Sequence, residues 1–139
     1  MGSLTGSDKQ FTGWLVWLWV LFILFCSSAL AGTLADTVFA FFLPSGGLQG
    51  GLLQLLAQKC FHIFLFVVLG LLAALPHRLR TPLLCVGLCF AIGIGSEGFQ
   101  ALWPTRSPSA LDAVLNVLSA LAAYALVFRW LSRRILAPT

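Results

Sequence analysis

The sequence predicts an all-α, polytopic membrane protein: 60% of its 139 residues are hydrophobic, only 9% are charged, and the apolar residues run in long unbroken stretches. Soluble domains carry about a quarter charged residues, and a water-soluble core of this size cannot hide so much apolar surface. In hydrocarbon every backbone amide must be satisfied within its own helix or a closed barrel, and barrel strands would appear as short alternating segments. The expected architecture is one domain with four transmembrane helices, over residues 11–32, 59–75, 82–103 and 109–131, and a short interfacial or re-entrant helical segment between the first two.

The first span runs from Phe11 to Gly32, with Trp14, Trp17 and Trp19 early, where aromatic rings favour the headgroup boundary. About twenty residues at ~1.5 Å each cross a ~30 Å hydrocarbon core. A cleaved leader competes, since Lys9 precedes the stretch and Ala29-Leu30-Ala31 resembles a cleavage site. The stretch is long for such a leader, so a retained helix is expected. From Thr33 to Gln58 the chain stays apolar but is punctuated by Pro44, Ser45, Gly46, Gly47, Gly50 and Gly51. That punctuation predicts two short helices in or dipping into the interface over 37–57. The second span starts at Lys59 and stops before Pro76, and a basic loop, His77-Arg78-Leu79-Arg80, follows. Pro82 suits the first turn of the third span, and the loop 104–108 leads into the fourth.

Charge orients these spans. With the N-terminus cytoplasmic, Lys9, Arg78, Arg80, Arg129, Arg133 and Arg134 lie inside, leaving Lys59 and Arg106 outside, which divides the eight basic residues six to two. Both termini are then cytoplasmic. Crossing by 37–57 would move the N-terminus but leave every later loop in place. The net charge of +4 does not imply nucleic acid, because the cations sit at the ends of apolar runs rather than on one face. Cys26, Cys60, Cys85 and Cys89 lie in or beside apolar segments without a CxxC pair, and are read as small packing residues. Neither a metal nor a cofactor is expected.

Under this topology Lys59 and His62 open the second helix, Glu97 and Gln100 close the third, and Asp112 and Asn116 open the fourth, all near the extracytoplasmic leaflet. Spacings of three, three and four residues place each pair on one helix face, and Arg106 adds a cation in the connecting loop. An ionisable side chain at the bilayer centre costs roughly 2.5–3.5 kcal/mol on insertion scales, so mutual pairing is expected. Lys59 and Arg106 neutralise Glu97 and Asp112 in an order the sequence leaves open, while Gln100, Asn116 and His62 supply donors and acceptors. Blander roles compete. Lys59 and Arg106 also suit snorkelling anchors, Asp112 suits a helix cap three residues after Ser109, and His62 suits a satisfied core histidine. Glu97 resists such a reading best, being several residues inside an apolar run. Gly93, Gly95, Ser96 and Gly98 around it, and the Ser119/Ala123 edge, are expected to let helices approach closely, with Ser96 also able to join the polar pocket.

These residues resemble the VanZ-like membrane proteins: Lys59-x-x-His62, then Phe66 and Gly70, then Glu97-x-x-Gln100, Arg106, and Asp112-x-x-x-Asn116. The order and spacing match that family over 59–116. The chain departs from it at Gln58, where the family often has an acidic residue, and at Ser119 and Ala123, where it has glycines. The resemblance implies a bacterial inner-membrane protein that affects how the cell envelope meets glycopeptide antibiotics of the teicoplanin type. Most members have no known activity, so antibiotic resistance is not carried over as the normal role.

Three function classes follow. The leading one is a polar pocket, built from Lys59, His62, Glu97, Gln100, Arg106, Asp112 and Asn116, that binds a lipid headgroup or a lipid-linked envelope component. The second is a small accessory subunit of a larger membrane complex, suggested by short length and by aromatics expected to face lipid, among them Phe41, Phe42, Phe64 and Phe66. The third is an enzyme using His62 and Glu97 as base and acid, disfavoured because no clear nucleophile, metal set or phosphate-cradling loop accompanies them.

Overall fold

The computed structural model describes residues 6–42, 48–77, 82–104 and 108–136. Among these the secondary structure is wholly helical: α1 (Gly6–Cys26), α2 (Ala29–Phe42), α3 (Leu48–His77), α4 (Pro82–Gln100) and α5 (Ala110–Leu136). Three helical stretches are long and apolar enough to cross a membrane, Gly51–Leu75, Pro82–Gln100 and Ala110–Trp130, or four if the bent pair α1–α2 counts as one span. The chain is therefore built as a multi-pass membrane protein.

The first expected span is not one rod. Its axis turns by 69° between Gly13–Cys26 and Ala29–Ala35. The cause is the Ser27-Ser28 pair. The Ser27 hydroxyl donates to the Ile23 carbonyl at 2.9 Å, and Ser28 Oγ donates to the Phe25 carbonyl at 2.6 Å. The Ser28 amide also bonds back to Phe25, a tighter reach than an α-helix makes. Ser28 Oγ in turn accepts the Ala31 amide at 3.4 Å, which is the geometry of an N-cap for α2. Hydroxyls competing for backbone groups thus end one helix and start the next inside a continuous apolar run.

The segment expected to hold two short helices is divided differently. Its first half continues α2, and its second half is the start of α3, a 30-residue helix that runs straight through Gly50 and Gly51. Mid-helix glycine costs only about 1 kcal/mol, which an otherwise strong apolar helix former absorbs. Residues 43–47, which include Pro44, Gly46 and Gly47, lie outside the described residues. At about 45 Å, α3 exceeds the ~30 Å hydrocarbon core. The third expected span, α4, ends at Gln100 rather than Trp103, in a turn where the Leu102 and Trp103 amides reach back three residues ahead of Pro104. The fourth begins at Ala110 and continues to Leu136, five residues past the expected end.

Helices α3, α4 and α5 form the central bundle, with α3 packed most extensively on α5, and α1 leans on α3. The core comprises Val20 and Ile23 of α1, Leu65, Phe66, Leu69 and Ala73 of α3, Cys85 and Cys89 of α4, and Ala120 and Tyr124 of α5. Phe66, expected to face lipid, is instead 1% exposed, whereas Phe41 and Phe64 are exposed as expected. Trp19 donates its indole N–H to the Leu65 carbonyl at 2.9 Å and so ties α1 to α3. Cys85 and Cys89 are buried and Cys26 packs half-buried against the core, while Cys60 is exposed.

Close helix approach depends on two glycines. A Cβ on Gly70 would lie 2.1 Å from the Ala120 carbonyl oxygen, and one on Gly93 would lie 2.6 Å from a Val117 methyl. Gly95 and Gly98, expected to serve the same purpose, face open space. Ala120, rather than Ser119, supplies the small surface of α5 that receives α3.

Candidate functional site

A carboxylate inside an apolar helix must find donors, and Glu97 finds them on α5. Its side chain is 5% exposed. Oε1 accepts the Asn116 side-chain amide at 3.3 Å, and Oε2 accepts the backbone N–H of Ser109 at 3.1 Å. Ser109 immediately precedes α5, and its carbonyl accepts the Ala113 amide, so it occupies the capping position. Glu97 therefore satisfies the cap residue's own N–H, a task that a glutamate three residues into the same helix performs in a capping box. Here the acceptor comes from a different helix. The arrangement also sets a carboxylate at the positive end of the α5 dipole.

Asn116 is fully buried. Its Nδ2 donates to Glu97 and also approaches Ser96 Oγ at 3.4 Å, while Ser96 Oγ donates to the Gly93 carbonyl at 3.2 Å. With Nδ2 donating to Glu97, Oδ1 is left without a partner among the described residues. Ser96 thereby belongs to the polar network.

Lys59 and Asp112 form the ion pair of the site, joining α3 to the first turn of α5. Their side chains are 30% and 16% exposed, so the pair sits at a partly open rim. The Asp112 carboxylate thus bonds across helices to Lys59. The seven predicted residues are not all brought together. Gln100 closes α4 and is buried, and His62 follows Lys59 on α3 but lines a separate cleft toward α1 and α2. Arg106 lies outside the described residues.

Three buried polar atoms have no hydrogen-bond partner among the described residues: His62 Nδ1, Gln100 Nε2 and Asn116 Oδ1. They are an imidazole nitrogen, an amide donor and an amide acceptor. Among the described residues no three His, Cys, Asp or Glu side chains gather in a way that could hold a metal ion. The sequence reading missed the Ser109 N–H, because backbone donors carry no side-chain signature.

The rim pair yields a first expectation. Lys59→Met alone strands Asp112 beside apolar surface, and Asp112→Leu alone strands Lys59, whereas the double variant strands neither. The coupling energy in a double-mutant cycle of detergent unfolding should fall between the ~1 kcal/mol of exposed pairs and the ~3 kcal/mol of buried ones. Strict additivity would mean that the pair contributes nothing.

No family model, curated protein or solved structure matches this chain.

Proposed function

We propose that this chain is a VanZ-like integral membrane protein whose polar pocket binds the headgroup of a membrane lipid or a lipid-linked envelope component. The chain crosses four times, with α1–α2 as a bent first crossing, both termini cytoplasmic, and the pocket at the extracytoplasmic leaflet. The observation that carries this reading is the pair of unpartnered buried amide atoms, Gln100 Nε2 and Asn116 Oδ1, on the helices that also carry the Glu97–Asn116 bond and the Lys59–Asp112 pair. Hydrocarbon offers these atoms nothing, and each unsatisfied group costs free energy. A headgroup supplies acceptors for Gln100 and, through hydroxyls, donors for Asn116. The open rim at Lys59 admits it, and the lysine attracts an anionic group. Further support comes from the six described motif residues, which all lie on α3, α4 and α5.

The test is lipid retention. Full-length protein is reconstituted in vesicles of phosphatidylethanolamine, phosphatidylglycerol and a polyprenyl phosphate, re-extracted, and weighed intact with its bound lipid. One lipid should be retained out of proportion to its mole fraction. Gln100→Leu should weaken that retention about fivefold, corresponding to one hydrogen bond of ~1 kcal/mol, while Phe90→Leu on the exposed face of α4 should not. Retention that merely follows bulk composition refutes the pocket. A stoichiometric protein partner surviving mild detergent extraction would instead favour the accessory-subunit reading.

A further inference from the structure

The bend at Ser27-Ser28 has a consequence beyond the polar network. By swinging α2 away from the line of α1, it opens a cleft of about 520 Å³ between these two helices and α3. Phe22, Phe25, Leu34, Val38 and Phe61 form apolar walls, and Ala31, Ala35 and Ala57 keep it clear of bulk. Two lining residues break this apolar character, Gln58 and His62. They flank Lys59 in the sequence, which joins α5 in the ion pair, so the polar end of the cleft adjoins the polar cluster along α3.

The size of the cleft argues for one kind of occupant. A single turn of helix, ~10–12 Å across and ~5.4 Å tall, displaces about 500 Å³, so a partner helix could seat only one turn here. Association of membrane helices needs packing over a longer stripe. A hydrocarbon chain is thinner and matches the walls. Apolar walls alone confer no preference, since the surrounding bilayer is equally apolar. Preference must come from the polar linkage at the head of the chain, and Gln58 and His62 are the polar side chains that line the cleft.

We propose that this cleft holds one acyl chain of a membrane phospholipid, with the ester linkage of that chain at its polar end, beside Gln58 and His62. The proposal deepens the headgroup reading and rests on it in one respect, that the same lipid reaches the polar cluster beyond His62.

Photolabelling tests it. The full chain is placed in vesicles of phosphatidylethanolamine and phosphatidylglycerol doped with a phosphatidylglycerol carrying a diazirine on one acyl chain, irradiated, and mapped by peptide mass. Label should concentrate severalfold on Leu34, Val38 and Phe61 over the exposed α5 residues Leu118 and Leu126. Ala31→Trp, which fills the cleft, should abolish the enrichment, and His62→Leu should reduce it. Equal labelling of cleft and α5 residues in the unmodified protein overturns the proposal, and this comparison stands even if Ala31→Trp does not fold. Gln100→Leu separates the two readings. Enrichment in the cleft that persists while Gln100→Leu leaves headgroup retention unchanged upholds the cleft and sinks the polar pocket, whereas loss of enrichment with retention still sensitive to Gln100→Leu does the reverse.

Discussion

Gly70→Ala should destabilise the protein by about 3 kcal/mol, the upper part of the range for overpacking a close contact. The added methyl would sit 2.1 Å from the Ala120 carbonyl oxygen and 2.9 Å from its carbonyl carbon, both backbone atoms that no rotamer change can move. Relief requires α3 and α5 to separate along their most extensive interface, which also holds Lys59 within reach of Asp112. The same substitution at Gly98 meets nothing within 4 Å and should be neutral or slightly stabilising, since alanine is the better helix former. Gly93→Ala should fall between, because the nearest obstacle is a Val117 side-chain methyl, although the Val117 backbone follows at 3.2 Å. Unfolding of the three variants in mixed micelles, followed by circular dichroism, gives the ranking. Equal stability of Gly70→Ala and Gly98→Ala would mean that α3 and α5 do not approach as closely as described.

How much of this could be read from residues alone depends on the kind of information each feature carries. Helix content was legible because hydrocarbon forces it: an apolar run as long as Pro82–Gln100 has no other stable form. The facing of polar pairs was partly legible, because a spacing of three or four fixes a common face within one helix. The partner across the interface is a different matter. Lys59 bonds Asp112 while Glu97 takes Asn116 and the Ser109 amide, an allocation set by the register between helices. That register depends on where Gly70 meets Ala120 and Gly93 meets Val117, contacts between residues that look unremarkable in one dimension. Phe66 illustrates the same limit: in an all-apolar helix periodicity vanishes, so nothing marks it as inward and Phe64 as outward. The Ser27-Ser28 break and the uninterrupted passage through Gly50-Gly51 reverse the usual order of local signals. Two hydroxyls with carbonyls to bond were more disruptive than two glycines near a helix start.

Asn116→Leu should be the most damaging single change in the polar network, costing about 3–4 kcal/mol, because it removes a donor from a buried carboxylate without removing the carboxylate. Leucine keeps the branched shape of asparagine with no fewer heavy atoms, so no cavity is left and the loss is not a cavity effect. Glu97 would keep the Ser109 N–H and the end of the α5 dipole, but Oε1 would face an apolar side chain in a site already 5% exposed. Removing the charge as well should recover much of the loss. The double variant Glu97→Leu/Asn116→Leu is expected to be more stable than Asn116→Leu alone, since replacing both partners of a buried polar pair by apolar groups is often close to neutral. Glu97→Leu alone should cost less than Asn116→Leu, because it leaves two neutral donors in need of partners rather than a stranded anion, and Asn116 Nδ2 still has Ser96 Oγ at 3.4 Å. This order distinguishes scaffold from site. If the network exists only to lock helices together, the stabler double variant should behave like the native chain in lipid retention; if it frames a pocket, the double variant should fold and yet lose the retained lipid, since Asn116 Oδ1 disappears with the network it belongs to. Stability measured in micelles and retention measured in vesicles are separate readouts of the same variants, so a protein that is sound in the first and empty in the second would tie Glu97 and Asn116 to binding rather than to folding.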